Sequence, residues 1–301
     1  MAINKSALQA YVEEKKSGLI RNAVIGARSA SEFNLMTGVK GATALNLLNT
    51  TVTLGDGSSC GWNEAGESTL SQRILTPGYP KVNMSFCDKT LLSTWMNYDV
   101  KVAAGQKTLP FEEDFINGVI EGVKAKLETT IWQGKKASGD AFDGIEKVLE
   151  GTSAVAVQYT KGATITSIVS SVYKAIPSAA FSKGEVVLYM GSDSYRAYIQ
   201  ELIAGDKLVI NAQVSDVAMP DTILIPGTNV RVIGVSGLDG TGDYYASYKD
   251  NFVYGTDLQG DEEKFDFWYS QDNREFRLAI EMVAGVQVAF PDLVVKASQA
   301  A

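Results

Sequence analysis

Residues 111–134 constrain the fold of this chain most strongly, because their apolar side chains recur every four positions. The recurring residues are Phe115, Val119, Val123, Leu127 and Ile131, with Ile116 and Ile120 beside them. Acidic residues fill the first turn, and Gly134 with two lysines follows the last. This charge order suits a helix dipole, so the pattern predicts one long helix. Its stripe drifts slowly around the axis, which favours a helix crossing a sheet at an angle.

Strand-like segments flank this helix on both sides. Residues 50–54 are β-branched, residues 68–75 and 81–84 have strand-like composition, and aromatic and aliphatic residues alternate within 264–295. The polar, glycine-rich residues 55–66 separate the first two segments, and Gly55-Asp56-Gly57 is a turn signal. The pattern predicts a long hairpin that has too little apolar material to be stable by itself.

Strand and helix patterns alternate between residues 156 and 258. Strands are predicted at 155–159, 185–190, 207–211, 222–225 and 230–235, and helices at 164–175 and from about 192 to 204. Ser192 or Asp193 is expected to cap the second helix. The alternation predicts a compact α/β unit. Nearer the N-terminus, residues 5–17 suggest a short helix, whereas 18–45 have no sustained period and are expected to form an extended arm.

The chain contains no histidine among its 301 residues. Ser-His-Asp and Cys-His catalysis, HExxH zinc sites and sites with several histidine ligands are therefore excluded within it. The formal net charge of −8 argues against a protein that binds nucleic acid through contacts to its phosphates. With 45% hydrophobic and 21% charged residues, the composition is that of an ordinary globular protein.

Each candidate chemical motif in the sequence is explained better by a structural role than by a catalytic or binding role. Gly55-Asp56-Gly57 with Gly61 lacks the spacing of a dinucleotide-binding loop. The acidic loops 239–243 and 257–263 do not match an EF-hand, and neighbouring Glu112 and Glu113 would point about 100° apart on a helix. We therefore predict no catalytic, cofactor-binding or metal-binding residue, and no enzymatic activity.

The cysteines and the N-terminus bear on the cellular compartment. Cys60 and Cys87 are expected to be reduced and half-buried, although the sequence leaves their pairing open. The N-terminal residues have no signal-peptide pattern, and no apolar stretch is long enough to span a bilayer. We expect synthesis and folding in a cytoplasm, without a membrane partner.

The four tryptophans divide into two groups. Trp95, Trp132 and Trp268 lie within apolar patterns and are expected in the core. Trp62 stands alone in the polar hairpin, where a large ring is a suitable anchor for the pocket of another subunit.

The order of these parts resembles the major capsid proteins of tailed bacteriophages, which have the HK97 fold. The resemblance covers nearly the whole chain: an N-terminal arm, a polar hairpin similar to an E-loop, and a long helix similar to the spine helix. Shorter similarities are residues 127–134 (LETTIWQG), 142–145 (FDGI), 175–177 (AIP), 237–240 (GLDG) and 251–257 (NFVYGTD).

The resemblance implies an α+β fold with an N-terminal arm (1–47), an E-loop (48–80), a peripheral domain (81–155 with 259–301) and an axial domain (156–258). It implies hexamers and pentamers that close an icosahedral phage head, assembled in the host cytoplasm, around double-stranded DNA held without strong specific binding. The E-loop residues expected at intersubunit contacts are Asp56, Gly57, Trp62, Glu64 and Arg73. Other implied partners are a portal and separate scaffolding or decoration proteins.

Some relatives crosslink their shells through an E-loop lysine, but residues 41–80 contain none. We therefore expect no covalent ladder. The alternatives are an encapsulin-like nanocompartment shell, a small-molecule α/β enzyme built on residues 156–258, and a tail-tube or decoration protein.

Overall fold

The computed structural model describes residues 22–52, 66–87, 111–205, 222–257 and 264–300, together with Lys15 and Leu19. The helices are α1 Arg28–Glu32, α2 Phe111–Gln133, α3 Ile145–Leu149, α4 Ile165–Ala175, α5 Ser178–Lys183 and α6 Ser192–Ala204. The strands are β1 Asn34–Thr37, β2 Thr43–Val52, β3 Gly66–Leu75, β4 Lys81–Cys87, β5 Val155–Tyr159, β6 Val186–Gly191, β7 Thr222–Leu224, β8 Arg231–Val235, β9 Tyr244–Tyr248, β10 Phe252–Thr256, β11 Lys264–Ser270, β12 Glu275–Glu281, β13 Ala284–Val288 and β14 Val295–Gln299.

The described strands form four sheets. A mixed sheet has the order β5-β14-β9-β6-β8-β7, and two smaller sheets have the orders β11-β12-β4 and β1-β10-β13. Among the described strands, β2 and β3 pair only with each other. The predicted helix and strands therefore combine into a mixed fold of helices packed on sheets.

The long helix predicted from the four-residue period is confirmed as α2. Its residues Ile116, Ile120, Leu127 and Ile131 are buried in the larger core, together with Phe265, Phe276 and Leu278 of the β11-β12-β4 sheet. The apolar stripe faces that sheet because burial of its side chains removes apolar surface from water. Gly118 and Gly122 have no described atom within 4 Å of the position of a Cβ, so neither provides a close backbone contact.

The mixed sheet is covered on both faces, as the continuous apolar run of β6 indicates. Val187 and Tyr189 point into the core around α2, whereas Leu188 and Met190 join a second core with α4 and α6. The predicted strands at 155–159, 185–190, 222–225 and 230–235 are confirmed with small shifts. The predicted strand at 207–211 and the helix at 5–17 lie outside the described residues, apart from Lys15.

The prediction of an extended arm over residues 18–45 is wrong for its middle part. Residues 22–25 are helical, α1 follows, and β1 pairs in parallel with β10. Ala23, Val24, Ala27, Ala30 and Phe33 are buried in the larger core. Small residues give no clear period, so their burial depends on the surface that they meet rather than on a local pattern.

Two predictions about single side chains are also wrong. Trp268 is 41% exposed, because it alternates with the buried Phe267 on β11 and therefore points to the outer face of its sheet. Cys87 is exposed and forms no disulfide, and Cys60 lies outside the described residues. Trp132 is fully buried as predicted, and Trp95 lies outside the described residues.

Candidate functional site

The outer face of the β2–β3 hairpin carries exposed apolar residues. In the antiparallel register, Leu48 pairs with Leu70 and Ala44 with Ile74. Because side chains alternate along a strand, all four lie on one face. Leu48 is 58% exposed, Leu70 is 78% exposed and Ile74 is 59% exposed. On the same face the polar pair Asn46–Gln72 lies between the two apolar pairs, with Gln72 Nε2 donating to Asn46 Oδ1 (2.8 Å). Exposed apolar pairs on a hairpin are typical of a surface that contacts another protein.

The base of the hairpin is fixed to the body by specific bonds. The Gln287 amide of β13 donates to the Ile74 carbonyl (2.6 Å) and accepts from Arg73 Nη2 (3.2 Å). Beyond β3, Gly78 and Ala284 exchange two backbone hydrogen bonds. Leu75 is fully buried with Val39 in a small cluster of its own. The hairpin is thus anchored at one end while its outer face is open.

An apolar groove lies between the edge strand β4 and α2. It has a volume of 570 Å³ and is lined by Val82, Met84, Gly118, Val119, Gly122, Val123 and Lys126. The two helical glycines leave the groove open because they carry no side chain. Its lining is apolar and its size is that of a few side chains, so it can receive an apolar segment of a protein.

A buried polar network fixes the N-terminal segment to α2. Glu128 accepts hydrogen bonds from the Ser29 amide (2.9 Å) and the Ser29 hydroxyl, and Trp132 Nε1 donates to the same hydroxyl oxygen (2.6 Å). All three residues are buried. Burial raises the pKa of Glu128, although the bonds from Ser29 and the charge of Arg28 act in the opposite direction.

Whereas Ser29 bonds to α2, the last residue of α1 bonds to the mixed sheet. Arg231 of β8 donates through both terminal nitrogens to Glu32, with the shorter contact at 3.0 Å, and Lys249 lies 3.3 Å from the same carboxylate. Phe33 stacks on Phe252 with ring centroids 5.2 Å apart and meets Trp132 edge-on. The segment therefore links α2 to the sheet, which makes the two parts one framework behind the hairpin.

The acidic loop at 239–243 has a structural role. Asp239 accepts hydrogen bonds from the first two amides of α6, those of Ser192 and Asp193. The N-cap position itself is Gly191 rather than the predicted Ser192 or Asp193, and the Asp239 cap comes from a loop distant in sequence. Asp193 contributes within the helix, because its carboxylate accepts a hydrogen bond from the Ser194 amide (2.7 Å). Asp243 lies 3.5 Å from Lys296. In the described residues, no cluster of metal-binding side chains occurs.

Of the predicted contact residues, the structure describes only Arg73. Its guanidinium is half-buried at the hairpin base, where burial lowers its pKa, and it bonds to Gln287 of its own chain. Asp56, Gly57, Trp62 and Glu64 lie outside the described residues. The sequence analysis missed the exposed Leu48, Leu70 and Ile74. The sequence gives no regular alternation at these positions, because Leu48 directly follows Leu47 and Ile74 directly precedes Leu75.

The fold built from these parts is that of shell-forming capsid proteins. A chain of the satellite phage P4 procapsid with its size determination (Sid) protein matches 97% of this chain and 96% of its own, with a TM-score of 0.62 and 9% identity. A chain of Gordonia phage Cozz matches 91% of this chain and 87% of its own, with a TM-score of 0.60 and 13% identity. A chain of a virus-like particle from Pyrococcus furiosus matches 95% of this chain and 98% of its own, with a TM-score of 0.56 and 9% identity. Identities this low establish the fold alone.

Sequence comparisons add nothing to this identification. No protein-family model matches the chain. No curated protein matches it either. None of the described helices is long and apolar enough to cross a membrane.

Proposed function

We propose that this chain is a major capsid protein that assembles with copies of itself into a closed shell. The observation that supports the proposal best is the near-complete overlap with the P4 procapsid chain, because the fold of a shell-forming protein then accounts for 97% of this chain. The structural neighbours are structural proteins rather than enzymes, which agrees with a chain that has no histidine. Self-assembly needs broad complementary surfaces, and the hairpin face is one such surface.

Within this proposal the parts take the roles that the HK97 fold assigns. The β2–β3 hairpin is the E-loop, α2 is the spine helix of the peripheral domain, and residues 156–258 are the axial domain. Asp56, Gly57, Trp62, Glu64 and Arg73 are then contact residues between subunits. Hexamers and pentamers would form an icosahedral head around double-stranded DNA, with a portal and separate scaffolding or decoration proteins as partners.

The apolar hairpin face supplies the contact energy in this scheme. Leu48, Leu70 and Ile74 are exposed in one chain, so a neighbouring copy can bury them. The groove beside β4, which is also apolar, is a suitable receiving surface. Burial of an exposed leucine contributes about 1.5 kcal/mol. Such contacts are weak singly and strong when repeated around a closed shell.

The double variant Leu48→Asn with Leu70→Asn tests this proposal. Removing both side chains from a contact costs about 3 kcal/mol, which is more than a hundredfold in its association constant. We expect wild-type protein to form closed shells in negative-stain electron microscopy and the variant to remain as small oligomers with an unchanged melting temperature. The matched control is Ser71→Asn, at an exposed position on the opposite face of β3. Wild-type protein that stays monomeric under all assembly conditions would contradict the proposal.

A nanocompartment shell is the second candidate, because the Pyrococcus furiosus virus-like particle also has this fold. The two candidates differ in cargo. Shells purified from the native source should contain double-stranded DNA and a portal if the chain is a phage capsid protein. An enclosed enzyme, found by mass spectrometry in shells without DNA, would favour the nanocompartment.

A further inference from the structure

The strand β4 forms one edge of the β11-β12-β4 sheet. All seven of its residues pair with β12 in an uninterrupted antiparallel register, and among the described residues no strand lies along its other side. An edge strand presents a row of unpaired backbone N–H and C=O groups, which makes it a template for pairing with another strand. The open side of β4 is therefore a surface to which a further strand can be added.

The strand β4 lacks the features that usually prevent such pairing. Proteins protect edge strands with proline, with bulges or with charged side chains. Residues 81–87 contain no proline, their register with β12 has no bulge, and Lys81 at the end of the strand is their only charged residue. The other edge strand of the same sheet, β11, carries the charged residues Lys264 and Asp266. This contrast favours β4 as the edge that pairs.

The two faces of β4 differ in polarity. Val82, Met84 and Phe86 lie on the face toward the larger core, because they pair with buried residues of β12. The residues between them are polar and point to the other face. Met84 is nevertheless 39% exposed, and with Val82 it lines the groove beside α2. The apolar face of β4 is thus partly open to solvent at the edge of the sheet.

The sequence of β4 is complementary to itself in antiparallel pairing. With Met84 at the centre, all seven residues have partners: Met84 faces Met84, Val82 faces Phe86, Asn83 faces Ser85 and Lys81 faces Cys87. Apolar residues then meet on the face toward α2, and polar residues meet on the other face. No like charges are directly opposed, because Lys81 faces an uncharged residue. A centre at Asn83 or Ser85 would pair only five residues of each strand.

We propose that β4 pairs with the β4 strand of a second copy of this chain, across a two-fold axis at Met84. The contact is isologous, because the same strand contributes to both sides. It joins the two three-stranded sheets into one sheet, and both grooves beside α2 lie on the same face of that sheet. The pairing deepens the proposed function, on which its place in a shell rests: the hairpin face makes one contact between copies, and β4 makes a second.

Disulfide crosslinking of the full chain tests the pairing. In a background with Cys60 and Cys87 changed to serine, Met84→Cys places two cysteines opposite each other. Their Cα atoms would be about 4.5–5.5 Å apart, which is within the range of a disulfide. We expect mild oxidation to convert most of this variant into a dimer on a non-reducing gel. The matched control is Asp266→Cys, at an exposed position on the other edge strand, and it should remain monomeric.

A mixing experiment tests the direction and the register of the two strands. Asn83→Cys and Ser85→Cys, each in the same background, should give few dimers separately, because position 83 of one copy faces position 85 of the other. An equal mixture of the two proteins should give dimers readily. Dimers of Asn83→Cys alone that are as abundant as those of the mixture would contradict the antiparallel pairing.

The same experiments separate the pairing from the proposed function. A Met84→Cys protein that stays monomeric, or one that crosslinks no more than Asp266→Cys, would overturn the pairing. A monomer whose β4 amides exchange hydrogen slowly would assign this edge to another segment of the same chain, which also overturns it. Wild-type shells would still support the proposed function in either case. Met84→Cys dimers from a chain that never forms shells would remove the proposed function and keep the pairing.

Discussion

At the scale of residues, the burial of the Glu128 carboxyl group is the feature that the local sequence explains least. A glutamate beside Leu127 on a helix is ordinarily solvated. Here it is buried because Ser29, 99 residues earlier, supplies two donors to it. A buried carboxyl group is tolerated when hydrogen bonds replace its water, so the position of α1 and the burial of Glu128 depend on each other.

Replacing Ser29 with alanine should lower the free energy of unfolding by about 2 kcal/mol, because Glu128 would keep its burial and lose a charge-assisted bond. Urea denaturation followed by circular dichroism measures the change. Ser31→Ala is the control: it lies on the same helix, but it is exposed and bonds only to the Arg28 carbonyl within the described residues. Its effect should stay within about 0.5 kcal/mol. Equal effects of the two substitutions would contradict this account.

The raised pKa of Glu128 predicts a pH dependence of stability. A carboxyl group whose pKa is higher in the folded state binds its proton more readily when folded. Its contribution to the free energy of unfolding is therefore fully present below the pKa of the unfolded state, about 4.5. That contribution is lost as the pH rises through the pKa of the folded state. The difference in unfolding free energy between wild type and Glu128→Gln should fall as pH rises from 4.5 toward neutrality. Urea titrations across this range check the sign, and a difference that grows with pH would refute it.

At the scale of elements, two helices of the mixed-sheet unit are capped from a distance. Glu201 of α6 accepts bonds from the amides of Ile165 and Thr166 at the start of α4, at 2.9 and 2.7 Å. Burial alone would raise the pKa of Glu201, but these bonds and one from the Thr166 hydroxyl outweigh it and lower the pKa. Asp239 acts similarly on α6. Helix starts here depend on tertiary neighbours as well as on the Thr164 cap.

The contact between α2 and the turn at 236–238 depends on a missing side chain. A Cβ on Gly237 would collide with the Glu128 carbonyl and the Trp132 ring, so Gly237→Ala should destabilise the protein by about 2 kcal/mol. Gly118→Ala is the control, because it adds a methyl group at an exposed helical position with no described atom within 4 Å. It should stabilise the protein by about 0.5–1 kcal/mol. Thermal denaturation of both variants gives the comparison, and a neutral Gly237→Ala would show that the turn can shift.

At the scale of the whole molecule, the N-terminal segment joins α2 to the mixed sheet within the larger core. It bonds to Glu128 on α2 and to Arg231 on the mixed sheet, and Phe33 packs between them. The hairpin projects from this framework and is held only at its base in the described residues. A hairpin that is bonded at its base and open on one face suits a subunit that must repeat many identical contacts.

The chain should form shells without covalent crosslinks. Residues 41–80 contain no lysine, so the hairpin lacks the amine that an isopeptide bond requires. Shells boiled in detergent should therefore run as a single band near 32.3 kDa on a denaturing gel. Lys40 and Lys81 flank the hairpin, and Lys40→Met with Lys81→Met serves as the control. A ladder in wild type that disappears in this double variant would contradict the prediction.

Much of the fold could be predicted from the sequence wherever a pattern repeats. The four-residue period of α2, the alternation in β11 and β12 and the apolar run of β6 each repeat over several residues, so burial of one face follows directly. The same regularity placed Phe265, Phe267 and Tyr269 on one side of β11. Applied strictly, it would also have placed Trp268 outside.

Tertiary structure alone decided the features that depend on residues far apart in the chain. Four such features are the burial of Ala23 and Ala27, the raised pKa of Glu128, the Asp239 cap on α6 and the burial of Asp257. Each needs a partner surface that no local pattern specifies. The sequence determined which segments bury a face and, through its lack of histidine, which chemistry is excluded. Packing decided which faces meet and which residues remain exposed on the hairpin. The reason is that contact energies depend on distance in space rather than along the chain.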